Sequence, residues 1–334
     1  VTKLNIPVSV LNLAPVRQGQ TNQDAIQSMV DLAKATEQLG YKRYWIAEHH
    51  NAPTLMSSAT SVLIKHVLDK TDSIRVGAGG IMLPNHVPLV VAEQFGTMET
   101  IHPDRVDLGL GRAPGTDMMT ARALRRAYHQ DPTYQFSDDV NELLMYFDDP
   151  SNQGQVMAHP GAGTYVPAYI LGSSTDSAKL AAKLGLPYAF AAHFAPDHLK
   201  EAIRIYREQF RPSNYLSEPY MIVCVNVIAS DTDEDARREL TTTQQFFLNI
   251  IRNTKKPLSP PVDNMDDIWT PFEKHTASSM TSYTFIGSPE TIKQQWIDFQ
   301  NELNVDEVMA VSYIYDQAKQ EKSYQLFKDV IESC

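Results

Sequence analysis

Two adjacent histidines, His49 and His50, follow the run Trp45-Ile46-Ala47-Glu48. An imidazole here can ligate a metal, sit in the core as a hydrogen-bonded structural group, or act in its neutral form as a general base or donor. Successive residues of a strand face opposite ways, so a single metal is better served by His-any-His spacing than by neighbours. The structural reading applies to at least one of the pair, which leaves the other for proton chemistry. Three further features follow. Gly77-Ala78-Gly79-Gly80 strips side chains from one strand, either to lay a flat ligand against the backbone or to allow a bulge. Arg112, within Gly111-Arg112-Ala113-Pro114-Gly115, offers a planar fork suited to phosphate, although a lone arginine is also at home on a solvated surface. Gly172-Ser173-Ser174-Thr175-Asp176-Ser177 gathers hydroxyls and free amide donors at a helix start, which binds anions or is simply an N-cap. Together, on three different strand ends, they describe a pocket for a flat phosphorylated cofactor.

The elements that must position these residues alternate. Strands are expected over residues 6–13, 43–48, 75–83, 105–111, 168–172, 188–192, 220–229 and 307–312, with helices between them at 21–40, 57–68, 87–101, 117–128, 174–184, 196–210, 233–251, 289–303 and 317–331. Eight strands alternating with helices point to an α/β fold, a (β/α)8 barrel whose site lies at the C-terminal strand ends. An open doubly wound sheet is the alternative, but its phosphate fingerprint fails at Pro114 and at Met82, where small residues are needed. Two stretches break the alternation. Residues 131–165 mix turn formers with one helix-like piece at 140–147, and residues 254–284 carry Pro257, Pro260, Pro261 and Pro271, which predicts a long loop with at most short helices. We therefore expect one barrel domain over residues 1–334 with two insertions, after the fourth strand and after the seventh helix.

These blocks resemble the bacterial luciferase-like family of flavin-dependent monooxygenases, in its single-chain, non-luminescent subgroup. The match is carried by Trp45 to His50, Gly77 to Pro84, Leu108-Gly109-Leu110-Gly111-Arg112, Ser174 to Ser177 followed by Gly185-Leu186-Pro187, and Gly287-Ser288-Pro289-Glu290, in family order along nearly the whole chain. The resemblance implies a barrel that takes reduced FMN from a separate flavin reductase and uses O2 to oxidise a small organic substrate through a flavin C4a-hydroperoxide. It implies His49 as the catalytic histidine and a non-proline cis peptide at Gly79-Gly80 beneath the flavin ring. The flavin phosphate falls to Arg112, Ser174 and Ser177, with Gly172 and Ser173 beside them. It also implies a homodimer, a mobile loop over residues 254–284, and no metal. F420 is a less favoured cofactor. Ser173 and Ala192 stand where the light-emitting enzymes have glutamate and tryptophan, and Gly111 replaces a cysteine, so neither light emission nor a long-chain aldehyde substrate is expected.

Composition narrows the field in the same direction. The 334 residues carry 29 Lys+Arg against 40 Asp+Glu, a formal charge of −11, which disfavours a nucleic-acid or anionic-lipid surface. Six acids and no Lys or Arg fall in residues 131–165, so that insertion holds more than half of the excess. With 43% apolar residues the chain can bury a sizeable core. The start lacks a secretory pattern, no apolar run is long enough for a membrane span, and two distant cysteines make no disulfide framework, so a cytoplasmic protein is expected. A flavin-binding barrel without turnover and, less favoured, a metal-dependent barrel hydrolase are the competing functions.

Overall fold

A computed structural model describes residues 1–125 and 134–334. Its strands are β1 (Val8–Asn12), β2 (Arg43–Ile46), β3 (Arg75–Met82), β4 (Val106–Gly111), β5 (Ala168–Gly172), β6 (Tyr188–Ala191), β7 (Met221–Ala229), β8 (Thr284–Gly287) and β9 (Glu307–Val311). All pairings are parallel. The order β6-β5-β4-β3-β2-β1-β9-β7, closed by β6 on β7, makes an eight-stranded barrel. The expected fold is thus present, and the doubly wound alternative is excluded by the closure.

The ninth strand, β8, lies outside the ring beside Asn226–Ala229 of β7. Sequence pattern misses it because four residues are too few to show alternation. The same stretch also holds a ten-residue helix, Pro271–Met280, entered through a capping box between Thr270 and Glu273.

The remaining helices match their expected places. The helix expected over 117–128 is seen at Met118–Leu124, and its last three expected residues lie outside the described ones. The piece expected at 140–147 begins four residues earlier, at Phe136. Asp138 and Asp139 read as loop formers, yet in a first helical turn their charges complement the helix dipole. Among the described residues no helix is long and apolar enough to cross a membrane.

Period-two alternation divides the apolar residues into two cores. Val10, Tyr44, Val76, Leu108 and Ile170 face outward and pack under the helices. Leu11, Trp45, Tyr169, Cys224, Met309 and Val311 face inward and fill the barrel. The lower end of the interior is charged. Arg43 spans the barrel, giving Glu307 two hydrogen bonds at 2.8 and 3.0 Å and Asp107 one at 2.9 Å. Arg75 and the Trp45 indole also donate to Asp107, and the hydroxyls of Ser9 and Tyr220 donate to Glu307. Every carboxylate oxygen has a donor, which is what lets charges sit in a core.

At the upper end, part of the 254–284 segment lies across the mouth. Leu258 exchanges backbone hydrogen bonds with Val16 and Gln18 at 2.9 and 2.8 Å. Its side chain, with Met265 and Trp269, joins the inner core.

Candidate active site at the barrel mouth

The alternation that aims Trp45 and Ala47 into the lumen sends His49 the same way and turns Glu48 and His50 outward. His49 Nδ1 is buried without a protein hydrogen-bond partner. Burial holds the His49 imidazole below its ordinary value, so at neutral pH it is uncharged. The two histidines therefore do not converge.

His50 instead belongs to a group centred on Glu48, which is 1% exposed. The Glu48 carboxylate lies 2.7 Å from His50 Nε2 and 2.8 Å from His86 Nε2, and accepts from Asn85 Nδ2 at 2.9 Å and the Met82 N–H at 3.0 Å. An ionised carboxylate only accepts, so both Nε2 atoms carry hydrogen. Glu48, His50 and His86 place three ligand atoms within 4.8 Å of one another, a spacing compatible with a cation. Here each imidazole donates to the carboxylate instead. Asn85 and His86 have no sequence signal of their own, since they reach Glu48 from the turn after β3.

Burial pushes the Glu48 carboxyl up, but hydrogen bonds from His50, His86 and Asn85 outweigh it and hold it at about 2, against an ordinary 4.5. A carboxyl depressed in the folded state adds stability that is complete above about pH 4.5 and is lost as pH falls through about 2. The difference corresponds to roughly 3 kcal/mol. Urea unfolding of wild type and Glu48→Gln should therefore differ by that order above pH 5, with the gap shrinking as pH falls toward 2. A gap that ignores pH would contradict this role.

Packing by itself requires glycine at these β3 positions. The strand register against β4 shifts between Ala78 and Ile81, and the Gly79–Gly80 peptide is cis. A Cβ on Gly79 would lie 2.9 Å from both Leu11 and Trp45 side-chain atoms, and one on Gly80 would lie 2.7 Å from the Gly109 carbonyl. The space a side chain would take is filled by the protein itself, as a bulge requires.

On the next two strands, Arg112 follows β4, is exposed, and has no ion pair or hydrogen bond to a described residue. Beyond β5, Ser174 caps the helix Thr175–Leu184 by accepting from Ser177 N–H, so the N-cap reading holds. Ser177 Oγ donates to the Ser174 carbonyl at 2.8 Å and lies 2.7 Å from the Tyr188 hydroxyl. A Cβ on Gly172 would lie 2.2 Å from Ser177 Oγ, so glycine is what lets the helix start sit on the strand end. Ser173 is half-buried between them. The first-turn amides of Thr175 and Asp176 still face outward from the helix, next to the strand that carries Arg112.

The family model described as luciferase-like monooxygenase matches residues 7–303. The chain is 50% identical over 325 residues to the uncharacterized protein YddN of Bacillus subtilis, covering 97% of this chain and 96% of that one. It is 44% identical over 332 residues to a luciferase-like monooxygenase of Escherichia coli, covering 99% of each. Among solved structures, apo-MsnO8 superposes with a TM-score of 0.85 at 31% identity, covering 98% of each chain. The oxygenating constituent of 3,6-diketocamphane monooxygenase from Pseudomonas putida, solved with FMN, shares the fold at a TM-score of 0.71 and 16% identity, covering 98% of this chain and 97% of that one.

Proposed function

Because the chain belongs to the luciferase-like monooxygenase family, we propose that it binds reduced FMN across β3, β4 and β5 and oxygenates a small organic substrate in the lumen. The observation that carries this reading is the convergence of an unpaired arginine and a helix N-terminus on adjacent strands, next to the Gly79–Gly80 bulge. These groups fit the cofactor. Arg112 and the first-turn amides would hold the phosphate, and the side-chain-free stretch of β3 would back the ring.

When bound, reduced flavin supplies the electrons that activate O2. The protein's part is to orient, dry and protonate. Neutral His49 can take a proton from the substrate side or hand one back at Nδ1. Glu48 anchors the backbone next to it by fixing His50 and the turn after β3. Leu258, Met265 and Trp269 cover the mouth and keep water from the reacting groups.

FMN suits the site better than F420. The deazaflavin carries a longer anionic tail, whereas Arg112 and the helix start at Ser174 offer the complement of a single phosphate. The reduced cofactor would come from a separate reductase, because the chain has no nicotinamide fingerprint. A homodimer would cover Val62 and Val90, which are 65% and 46% exposed on the second and third helices.

Arg112→Ala separates phosphate recognition from ring binding. It should weaken FMN by about tenfold or more while leaving riboflavin unchanged, since one charged hydrogen-bonded contact is lost. Equal weakening of both ligands, read by flavin fluorescence titration, would remove Arg112 from the phosphate site. Failure of wild-type protein to bind FMN at all would overturn the proposed function.

A further inference from the structure

Three buried polar atoms at the mouth have no protein partner: His49 Nδ1, His193 Nδ1 and Asn226 Oδ1. Leaving such an atom unpaired costs about 1–3 kcal/mol, so three together call for an explanation. His49 comes from the end of β2 and His193 from the turn after β6. In the ring order these strands stand opposite, with β3 to β5 along one arc and β7, β9 and β1 along the other. Asn226 lies on the second arc. It pairs in register with Val311, an inner-core residue, and shares the inward alternation of Cys224.

The amide orientation of Asn226 is settled by its surroundings. One end meets the His193 carbonyl at 2.7 Å, and a carbonyl can only accept, so that end is Nδ2 and the unpaired end is an acceptor. The same bond ties the His193 turn to β7. His193 is 7% exposed and Asn226 1% exposed, so neither is a solvent group that happens to lack a neighbour. Burial, with the repulsion that two protonated imidazoles would feel between His193 and His49 adding to it, holds His193 down at about 3. Both imidazoles are thus uncharged at neutral pH, and the three atoms form a polar but neutral set in an apolar lumen.

We infer that His193 and Asn226 are substrate-binding residues that select a neutral substrate with adjacent hydrogen-bond donor and acceptor, of which a secondary amide is the simplest. The N–H would go to Asn226 Oδ1 and the carbonyl oxygen to an imidazole N–H. A carboxylate finds no charge among these atoms, and an ester or ketone leaves Asn226 unpaired. The inference rests on the reading of β3 to β5 as the flavin-holding arc, which assigns the opposite arc to the substrate.

The test uses calorimetry of the FMN-loaded protein with N-hexylacetamide and hexyl acetate, which differ by one N–H donor. Wild type should bind the amide about tenfold more tightly than the ester. Asn226→Leu should bring the two affinities together, while His193→Leu should weaken both ligands alike by removing the donor to their shared carbonyl, with FMN affinity unchanged in each. If Asn226→Leu does not fold, Asn226→Ala, which removes the same acceptor with less bulk, carries the same prediction. An amide no tighter than the ester in wild type, including no binding of either, overturns the inference, as does a preference that survives in a folded Asn226 variant. Absence of FMN binding by wild type would fail the parent reading instead, and the two failures are distinct.

Discussion

His49→Asn should lower turnover by about 10²–10⁴-fold, the range that positioned proton transfer contributes, while FMN affinity should stay within about threefold. Asparagine retains a polar group in the same space but cannot exchange a proton near neutral pH. Position and state give His49 this role: the imidazole faces the lumen, its Nδ1 has no hydrogen-bond partner among the described residues, and burial keeps it neutral. Because His49 is held below its ordinary 6.5, the acid limb of the wild-type pH profile should fall below that value and vanish in the variant. Parallel loss of flavin binding and turnover would instead assign His49 a structural role.

Asp107→Ala should produce the larger loss of stability of the substitutions considered. Asp107 is fully buried and accepts from Arg43, Arg75 and Trp45. Removing one partner of a buried ion pair leaves charge uncompensated and costs about 3–5 kcal/mol. Burial pushes the Asp107 carboxyl up, but the two arginines and the hydrogen bonds they donate win and hold it below its ordinary value. Its contribution is therefore present at neutral pH and decays as pH falls below about 4, the usual aspartate value. Urea unfolding at pH 7 checks the size of the effect, and a change under about 1 kcal/mol would place the network among marginal ion pairs.

Much of this was legible in the chain. Strand ends could be placed because apolar runs of four to nine residues recur between amphipathic helices. The opposite orientation of His49 and His50 followed from strand geometry alone. What escaped was held together through space. His86 reaches Glu48 across 38 residues, and nothing in the local sequence around His86 marks it. His193 sits in a turn, where alternation stops. Asn226 did leave a signal, as the one amide inside Met-Ile-Val-Cys-Val-Asn-Val-Ile-Ala, and so did Arg43, Asp107 and Glu307 as charges at buried strand positions. An apolar strand with one polar residue identifies a place, but which partner it meets depends on barrel stagger, and that is set by pairing register.

The charged floor of the barrel also bears on kinetics. With Arg43, Asp107 and Glu307 interlocked beneath Trp45 and Tyr169, the lower end of the lumen is closed among the described residues, which leaves the mouth as its door. Whatever binds deepest must enter first and leave last. If flavin and substrate share that door, their order of addition is imposed by geometry.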